Sequence, residues 1–277
     1  MKFGKTSAYT ILKNEKAFIE KWLYYTKDFD YRVLLDTGST DGSWELLKEY
    51  SKSDPRLIIQ QRVFTPWKFD VARRYNLNMV PTDVDWCLSP DLDEYFTINV
   101  IEKIEQIIET HPNVTNISCD RFDVYSNVPR VGPPGNIPSN KIHRRNDYTW
   151  VQPIYEHLSW IHKDRPEIEI YCDELYLVHD QDFRKKERSE LYTKMLIDEY
   201  ETNPSNTWCL WFLVNHYYRE KDIENFIETG CDYIKYHTQP CSKYKEVLSE
   251  LTNIYLYADI DTKNKDKIFE IIRGKSV

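Results

Sequence analysis

Asp91 and Asp93, separated by one leucine, are the residues whose types and spacing most directly suggest chemistry. A divalent cation bridging two phosphates takes hard oxygen ligands, and two carboxylates on one turn can supply them. Held there, the cation would offset negative charge building on a departing phosphate. An acid pair of this spacing also occurs as a plain solvated turn, so its surroundings have to decide between the two readings.

The elements that would position the pair are written in the preceding ninety residues. Ala8-Tyr-Thr-Ile-Leu12 is a short apolar run, followed by Phe18, Ile19, Trp22 and Leu23 at helical spacing. Tyr31-Arg-Val-Leu-Leu35 reads as a second strand, stopped by Asp36-Thr-Gly-Ser-Thr-Asp-Gly42, and Trp44, Leu46, Leu47 and Tyr50 form a second helical face. Leu57-Ile-Ile59 is a third strand, Asp70 to Met79 a third helix, and Trp86-Cys-Leu88 a strand leading into Ser89-Pro-Asp-Leu-Asp-Glu94. Strands alternating with helices of this length predict a parallel sheet with helices on its faces. In such sheets ligands sit beyond the carboxyl ends of the strands. The polar clusters at Asn14, Asp36 and Asp91 each follow a predicted strand, so all three should meet along one edge.

Downstream the pattern changes twice. Strand candidates lie near Asn116–Tyr125, Thr149–Trp160 and Leu175–His179, with a Pro/Gly-rich stretch, Val128 to Ser139, reading as a loop. After Arg184 the sequence is helical to its end. Leu213-Val-Asn-His-Tyr-Tyr-Arg-Glu-Lys-Asp222, with Phe226 and Tyr233, resembles one tetratricopeptide hairpin, although Gly230 shifts the register. A single repeat would have to pack on the rest of the chain. The expected division is an α/β unit over 1–183 and a smaller all-α region over 184–277.

Composition bounds the alternatives. At 277 residues, 41% hydrophobic and 30% charged, the chain reads as globular. A net charge of -8 argues against general electrostatic gripping of nucleic acid, although Lys141-Ile-His-Arg-Arg145 is a local basic patch. Aromatic content is 14%, which suits sugar stacking and core packing equally. The six cysteines form no CxxC pair, a pattern expected of reduced thiols rather than a disulfide framework or zinc site. Met1 to Ala8 lack the apolar run of a signal peptide, and no apolar stretch is long enough to span a bilayer. A cytoplasmic protein is therefore expected, and the sequons at Asn113 and Asn116 carry little meaning.

Four segments, in order, resemble family 2 glycosyltransferases: Thr10-Ile-Leu-Lys-Asn-Glu15, Leu35-Asp-Thr-Gly-Ser-Thr-Asp-Gly-Ser43, Phe69-Asp-Val-Ala-Arg73 and Trp86-Cys-Leu-Ser-Pro-Asp-Leu-Asp-Glu94. The second is highly specific, and together they span roughly the first third of the chain. The resemblance implies a GT-A fold, a Rossmann-like mixed sheet with helices on both faces. It also implies a nucleotide-sugar donor, a divalent metal (Mn²⁺ or Mg²⁺), and usually inversion at the sugar carbon. By position, Asp36 would read the base or ribose, as a carboxylate accepting from a uracil imide or ribose hydroxyl can. Helix capping is its other reading, shared with Ser39, Thr40 and Asp41. Arg73 matches an arginine near the nucleotide, with Arg74 standing where the family has Asn. Thr10 and Asn14 line the same predicted edge, with Glu15 open to a first-turn helix role. Gln152-Pro-Ile-Tyr-Glu-His157 resembles the His-Glu segment of a subset of the family, with Tyr155 in place of His. Glu156 would then be the base that takes the acceptor's proton, or else an outward strand glutamate; Asp120 and Asp123 are alternatives. His179 matches a histidine that completes the metal shell with Asp91 and Asp93, ahead of His157 and His143. Imidazole suits Mn²⁺ better than Mg²⁺.

A UDP-sugar is the donor the family implies. The acceptor stays open between a glycan or lipid-linked sugar, a peptide by analogy with sublancin-type S-glycosyltransferases, and a phage-type modified DNA base, which Arg144 and Arg145 would suit. Two rivals come from other classes. A nucleotidyltransferase should carry a Gly/Arg-rich phosphate loop near the N-terminus, where only Gly4 and Lys5 stand. A non-catalytic helical scaffold would have no reason to keep Asp36, Asp91, Asp93 and His179 together.

Overall fold

A computed structural model describes residues 4–96, 100–124, 138–180, 185–237 and 239–274. The chain divides into two compact units, Met1–Phe183 and Arg184–Val277.

The first unit is built on an eight-stranded sheet of order β3-β2-β1-β4-β7-β6-β10-β5. Its strands are β1 (Lys5–Leu12), β2 (Tyr31–Asp36), β3 (Leu57–Gln61), β4 (Val84–Leu88), β5 (Glu94–Phe96), β6 (Asn116–Val124), β7 (Pro138–Arg144) and β10 (Glu169–Asp180); β8 (Tyr148–Val151) and β9 (His157–Trp160) pair separately. β1, β2, β3 and β4 run parallel. β7 lies antiparallel between β4 and β6, β6 and β10 are parallel to each other, and β5 returns antiparallel on β10. The sheet is thus mixed, not purely parallel.

Alternation along each strand sorts side chains to two faces. Ala8, Leu12, Leu34, Trp86 and Leu88 pack toward helices α1 (Lys16–Tyr25), α2 (Ser43–Ser53) and α4 (Val100–Thr110), meeting Ile19, Trp22, Leu23, Leu47, Ile104 and Ile107. Tyr9, Val33, Cys87 and Trp150 share the opposite face with Leu77 of α3 (Phe69–Met79). The apolar residues of α1 and α4 recur every three or four positions, which turns one stripe of each helix to the sheet.

Three local expectations are corrected. Thr149–Trp160 is a hairpin, with Val151 opposite His157 and Tyr148 opposite Trp160, joined by residues 152–156. Pro153 cannot donate to a ladder, and Gln152 (φ 78°) and Tyr155 (φ 53°) adopt the left-handed region, so the chain turns there. The basic run Lys141–Arg145 is mostly central strand, not a solvated patch. The loop expected over Val128 to Ser139 lies largely outside the described residues, and Pro138 and Ser139 already belong to β7.

The second unit contains α5 (Lys185–Thr202), α6 (Thr207–Glu220), α7 (Ile223–Tyr236), α8 (Ser242–Tyr257) and α9 (Thr262–Arg273). Asn206, Asp222 and Asp261 cap α6, α7 and α9 by accepting from the backbone N–H three residues on. Its core joins Leu210, Val214, Phe226, Ile227, Ile234, Val247, Leu251 and Ile268. Gly230 sits against Val247 and Leu251 of α8, where an added Cβ would already be in contact. None of the described helices is long and apolar enough to cross a membrane.

Candidate active site

The carboxyl ends of β1 and β2 are bound into one edge by side-chain bonds to backbone. Asp36, fully buried, uses Oδ1 to accept from the N–H groups of Gly38 and Ser39, each at 2.8 Å, and from Gln61 Nε2 at 3.2 Å. Its Oδ2 is buried with no partner among the described residues. Gly38 (φ 106°) is required there, since a Cβ would also lie 2.9 Å from a Val63 methyl. Asn14 (φ 57°) accepts from Thr40 N–H at 2.7 Å, while its own N–H donates to Ser39 Oγ at 2.8 Å. Asp41 accepts from the N–H groups of Lys16 and Ser43, at 3.1 and 3.0 Å. Burial pushes the Asp41 carboxyl up, but the Ser43 hydroxyl and these amides outweigh it and hold it below the usual range. Capping at the starts of α1 and α2 is therefore performed by Asp41, which leaves Asp36 with an oxygen to spare.

The turn after β4 carries the acid pair and is held from three sides. Trp22 Nε1 of α1 donates to the Pro90 carbonyl at 3.3 Å, Asp91 N–H donates to Glu94 Oε2 at 2.9 Å, and Asp180 N–H donates to the Asp93 carbonyl at 2.7 Å. Asp91 meets two cations: Arg73 Nη2 donates to its Oδ1 at 2.6 Å and Lys141 Nζ to its Oδ2 at 2.9 Å. Burial raises the Asp91 carboxyl, but Arg73 and Lys141 outweigh this and hold it far below the ordinary range. Lys141 also pairs with the buried Glu94. Arg73 Nε donates to Glu156 Oε1 at 2.7 Å, so one guanidinium joins the turn at Asp91 to the loop at 152–156. The loop is fixed in turn by Phe69 N–H, at the start of α3, donating to the Pro153 carbonyl at 2.9 Å. Arg73 Nη1 is buried without a partner among the described residues.

Beneath Arg73 lies a neutral buried relay. The guanidinium stands 4.7 Å over the Trp150 ring. Trp150 Nε1 donates to the Tyr9 hydroxyl at 2.8 Å, and that hydroxyl lies 2.9 Å from His143 Nε2. His143 Nδ1 lies 3.0 Å from the Arg144 carbonyl, which can only accept. The proton is therefore on Nδ1, and Nε2 accepts from Tyr9. Burial pushes the His143 imidazole down to about 4 and raises the Tyr9 hydroxyl.

At the far end of the turn, Asp93 Oδ2 lies 3.4 Å from His179 Nε2, and His179 Nδ1 lies 3.1 Å from Asp123 Oδ1. Burial lowers the His179 imidazole, but Asp93 and Asp123 outweigh it and raise its pKa. Carboxylate, imidazole and second carboxylate in series are the arrangement by which a metal-binding histidine is oriented. Asp93 and His179 thus fit a divalent cation with mixed oxygen and nitrogen ligands. Asp91 is turned to Arg73 and Lys141 instead, and among the described residues no three His, Cys, Asp or Glu side chains are gathered closely enough to hold a metal together.

The structure brings Asp91, Arg73 and Glu156 into direct contact, and Asp93 with His179. Asn14 serves the neighbouring loop. Thr10 is wholly buried, because it shares the parity of Ala8 and Leu12 on the helix-covered face, and its hydroxyl turns to the Ile11 carbonyl. Arg74, which stands where the family has Asn, pairs with Asp70 at 3.1 Å. Arg144 donates to the carbonyls of Val114 and Pro112, and Arg145 to that of Val80. Neither forms the open basic patch that a nucleic-acid acceptor would favour. Lys141, Glu94, Tyr9 and Trp150 are the site residues that sequence reasoning missed. Only Glu94, adjacent to the acid pair, carried a signal.

A family model described as "Glycosyl transferase family 2" matches residues 7–165, more than half of the chain. Among solved structures, TarS from S. aureus is similar at a TM-score of 0.51 and 14% sequence identity, covering 98% of this chain and 55% of that one. A shorter form, TarS 1-349, gives 0.50 and 13%, covering 97% and 89%. The chain spans little more than half the length of the longer TarS chain, and the likeness is one of fold. No curated protein matches the sequence significantly.

Proposed function

Because the chain belongs to glycosyl transferase family 2 and is a glycosyltransferase of GT-A fold, we propose that it takes a sugar from a nucleotide-sugar, a UDP-sugar first among them, and transfers it with inversion to an acceptor. The observation that carries this reading is that Asp36 Oδ2 and Arg73 Nη1, at this edge, are among the buried polar atoms without a partner among the described residues. Leaving such atoms unsatisfied costs about 1–3 kcal/mol each, a cost a ligand removes. An acceptor oxygen suits a base imide or ribose hydroxyl, and a guanidinium N–H suits a phosphate.

In this reading Asp93 and His179 would hold a divalent cation, Mn²⁺ ahead of Mg²⁺ because of the imidazole, with Asp123 fixing the ring. When bound, the cation neutralises charge on the leaving diphosphate. Glu156 serves as base: Arg73 holds Oε1, and Oε2 takes the acceptor's proton as that oxygen or sulfur attacks the sugar carbon. Arg73 sets the distance between base and diphosphate by touching both Glu156 and Asp91. A glycan, lipid-linked sugar or peptide acceptor is favoured over a DNA base, because Arg144 and Arg145 are engaged by backbone carbonyls.

A thermal-shift screen of UDP, GDP and their sugars, with and without Mn²⁺, tests the reading, since selective binding to the folded state raises the melting temperature. UDP should raise it more with Mn²⁺ than with EDTA. Asp93→Asn and His179→Ala should each lose that metal-dependent increment while keeping the unliganded transition cooperative. No shift with any nucleotide would overturn the proposal.

A further inference from the structure

We propose that Lys141 is a phosphate-binding residue of the donor site, its ammonium moving from Asp91 to an oxygen of the nucleotide's diphosphate while Glu94 retains it. This rests on the reading of the site as one for a nucleotide diphosphate.

The placement of Lys141 is rigid. β7 pairs with β4 so that Leu88 opposes Ile142, and Ser89 N–H donates to the Lys141 carbonyl at 2.9 Å, two residues before Asp91. The ammonium is therefore carried to the turn by strand pairing. Asp91 and Glu94, which it pairs with, differ in access: the Glu94 side chain is 2% exposed and that of Asp91 36%. The cation is thus anchored at its buried side and faces the open side of the site. An ammonium has three N–H donors, of which Asp91 and Glu94 use two.

Charge makes the same case. Five carboxylates (Asp91, Asp93, Glu94, Asp123, Glu156) meet three permanent cations (Arg73, Lys141, Arg121) around this turn. The cations that lie against Asp91 itself are Arg73 and Lys141, so a diphosphate entering there would meet these two side chains beside any divalent cation held by Asp93 and His179. If Lys141 existed only to neutralise Glu94, a neutral pair of similar volume would fill the space without the cost of desolvating two charges. Retaining the pair next to a solvent-facing carboxylate is what a transferable cation requires.

The test is calorimetric binding of UDP or GDP, whichever binds tighter, and of its nucleoside, in Mn²⁺. Lys141→Met alone would strand Glu94 and can fail to fold, so it is measured beside Lys141→Arg and the charge-balanced Glu94→Gln/Lys141→Met double variant. The folded double variant should bind the diphosphate about 10- to 100-fold more weakly, the range for losing a charged hydrogen bond, with nucleoside affinity unchanged. Lys141→Arg should retain most of the affinity. Unchanged diphosphate affinity in the double variant, or equal losses for diphosphate and nucleoside, would overturn the proposal and leave Lys141 a structural partner of Glu94. Binding of neither nucleotide by the wild type would instead remove the donor reading, and this proposal with it.

Discussion

In the proposed reading, Asp36 and Glu156 each divide two oxygens between structure and chemistry. Asp36 Oδ1 accepts from Gly38, Ser39 and Gln61 and holds the loop, while Oδ2 is buried without a partner among the described residues. Asp36→Ala should therefore weaken UDP binding by about 1–3 kcal/mol, the range for losing a charged hydrogen bond. It should also cost some thermal stability through the loop. Reduced stability with unchanged UDP affinity would assign Asp36 to structure alone. Glu156 gives Oε1 to Arg73. Glu156→Gln keeps an oxygen for that bond but removes the proton acceptor, so transfer should fall about 10²–10⁴-fold, the usual worth of a positioned base. UDP affinity with Mn²⁺ should barely change. Transfer at the normal rate would move the base elsewhere, with Asp120 and Asp123 the next acids to substitute; a thiol acceptor needs less help from a base.

At the scale of elements, the alternation of strand and helix through residue 88 was legible because apolar periodicity there is undisturbed, whereas the three-residue β5 at Glu94–Phe96 was not read. β7 was not, since Lys141, Arg144 and Arg145 read as a solvated charge run. In the structure Lys141 is paired with carboxylates, and Arg144 and Arg145 with carbonyls. The hairpin of β8 and β9 was read as one strand because the break rests on Pro153 and two left-handed residues rather than on glycine. Thr10 was misplaced for want of the parity that only a known sheet face supplies. β7 also carries His143, whose stability contribution has a definite sign. Its folded pKa of about 4 lies below the unfolded value, so as pH falls the unfolded chain takes the proton first. Stability is therefore lost from about pH 6.5 downward to about pH 4, and between about pH 7.5 and 5 this one group should contribute a loss of about 2 kcal/mol. Denaturant titrations of wild type and His143→Gln at the two pH values check this. The variant should lose correspondingly less, and equal losses would deny His143 that role.

For the whole molecule, the sequence changes after residue 183 from strand-like to helical periodicity, and the chain divides into compact units Met1–Phe183 and Arg184–Val277. The number of helices beyond it was not visible, because only the segment of α6 and α7 carries a recognisable repeat pattern. A net charge of -8 leaves the molecule poorly disposed toward an anionic donor in general. Attraction has to be local, which is why the few cations at the acid pair matter more than the overall balance. The loop from Asp36 to Ser43 is already tied by Asn14, Ser39, Asp41 and Asp36 before any ligand arrives. A receptor that begins in its binding shape loses no affinity to a scarce competent population, and little chain entropy remains to be surrendered on capture. If the proposed nucleotide site lies at this edge, its backbone asks for no rearrangement on capture, and dissociation would then set how long a donor stays.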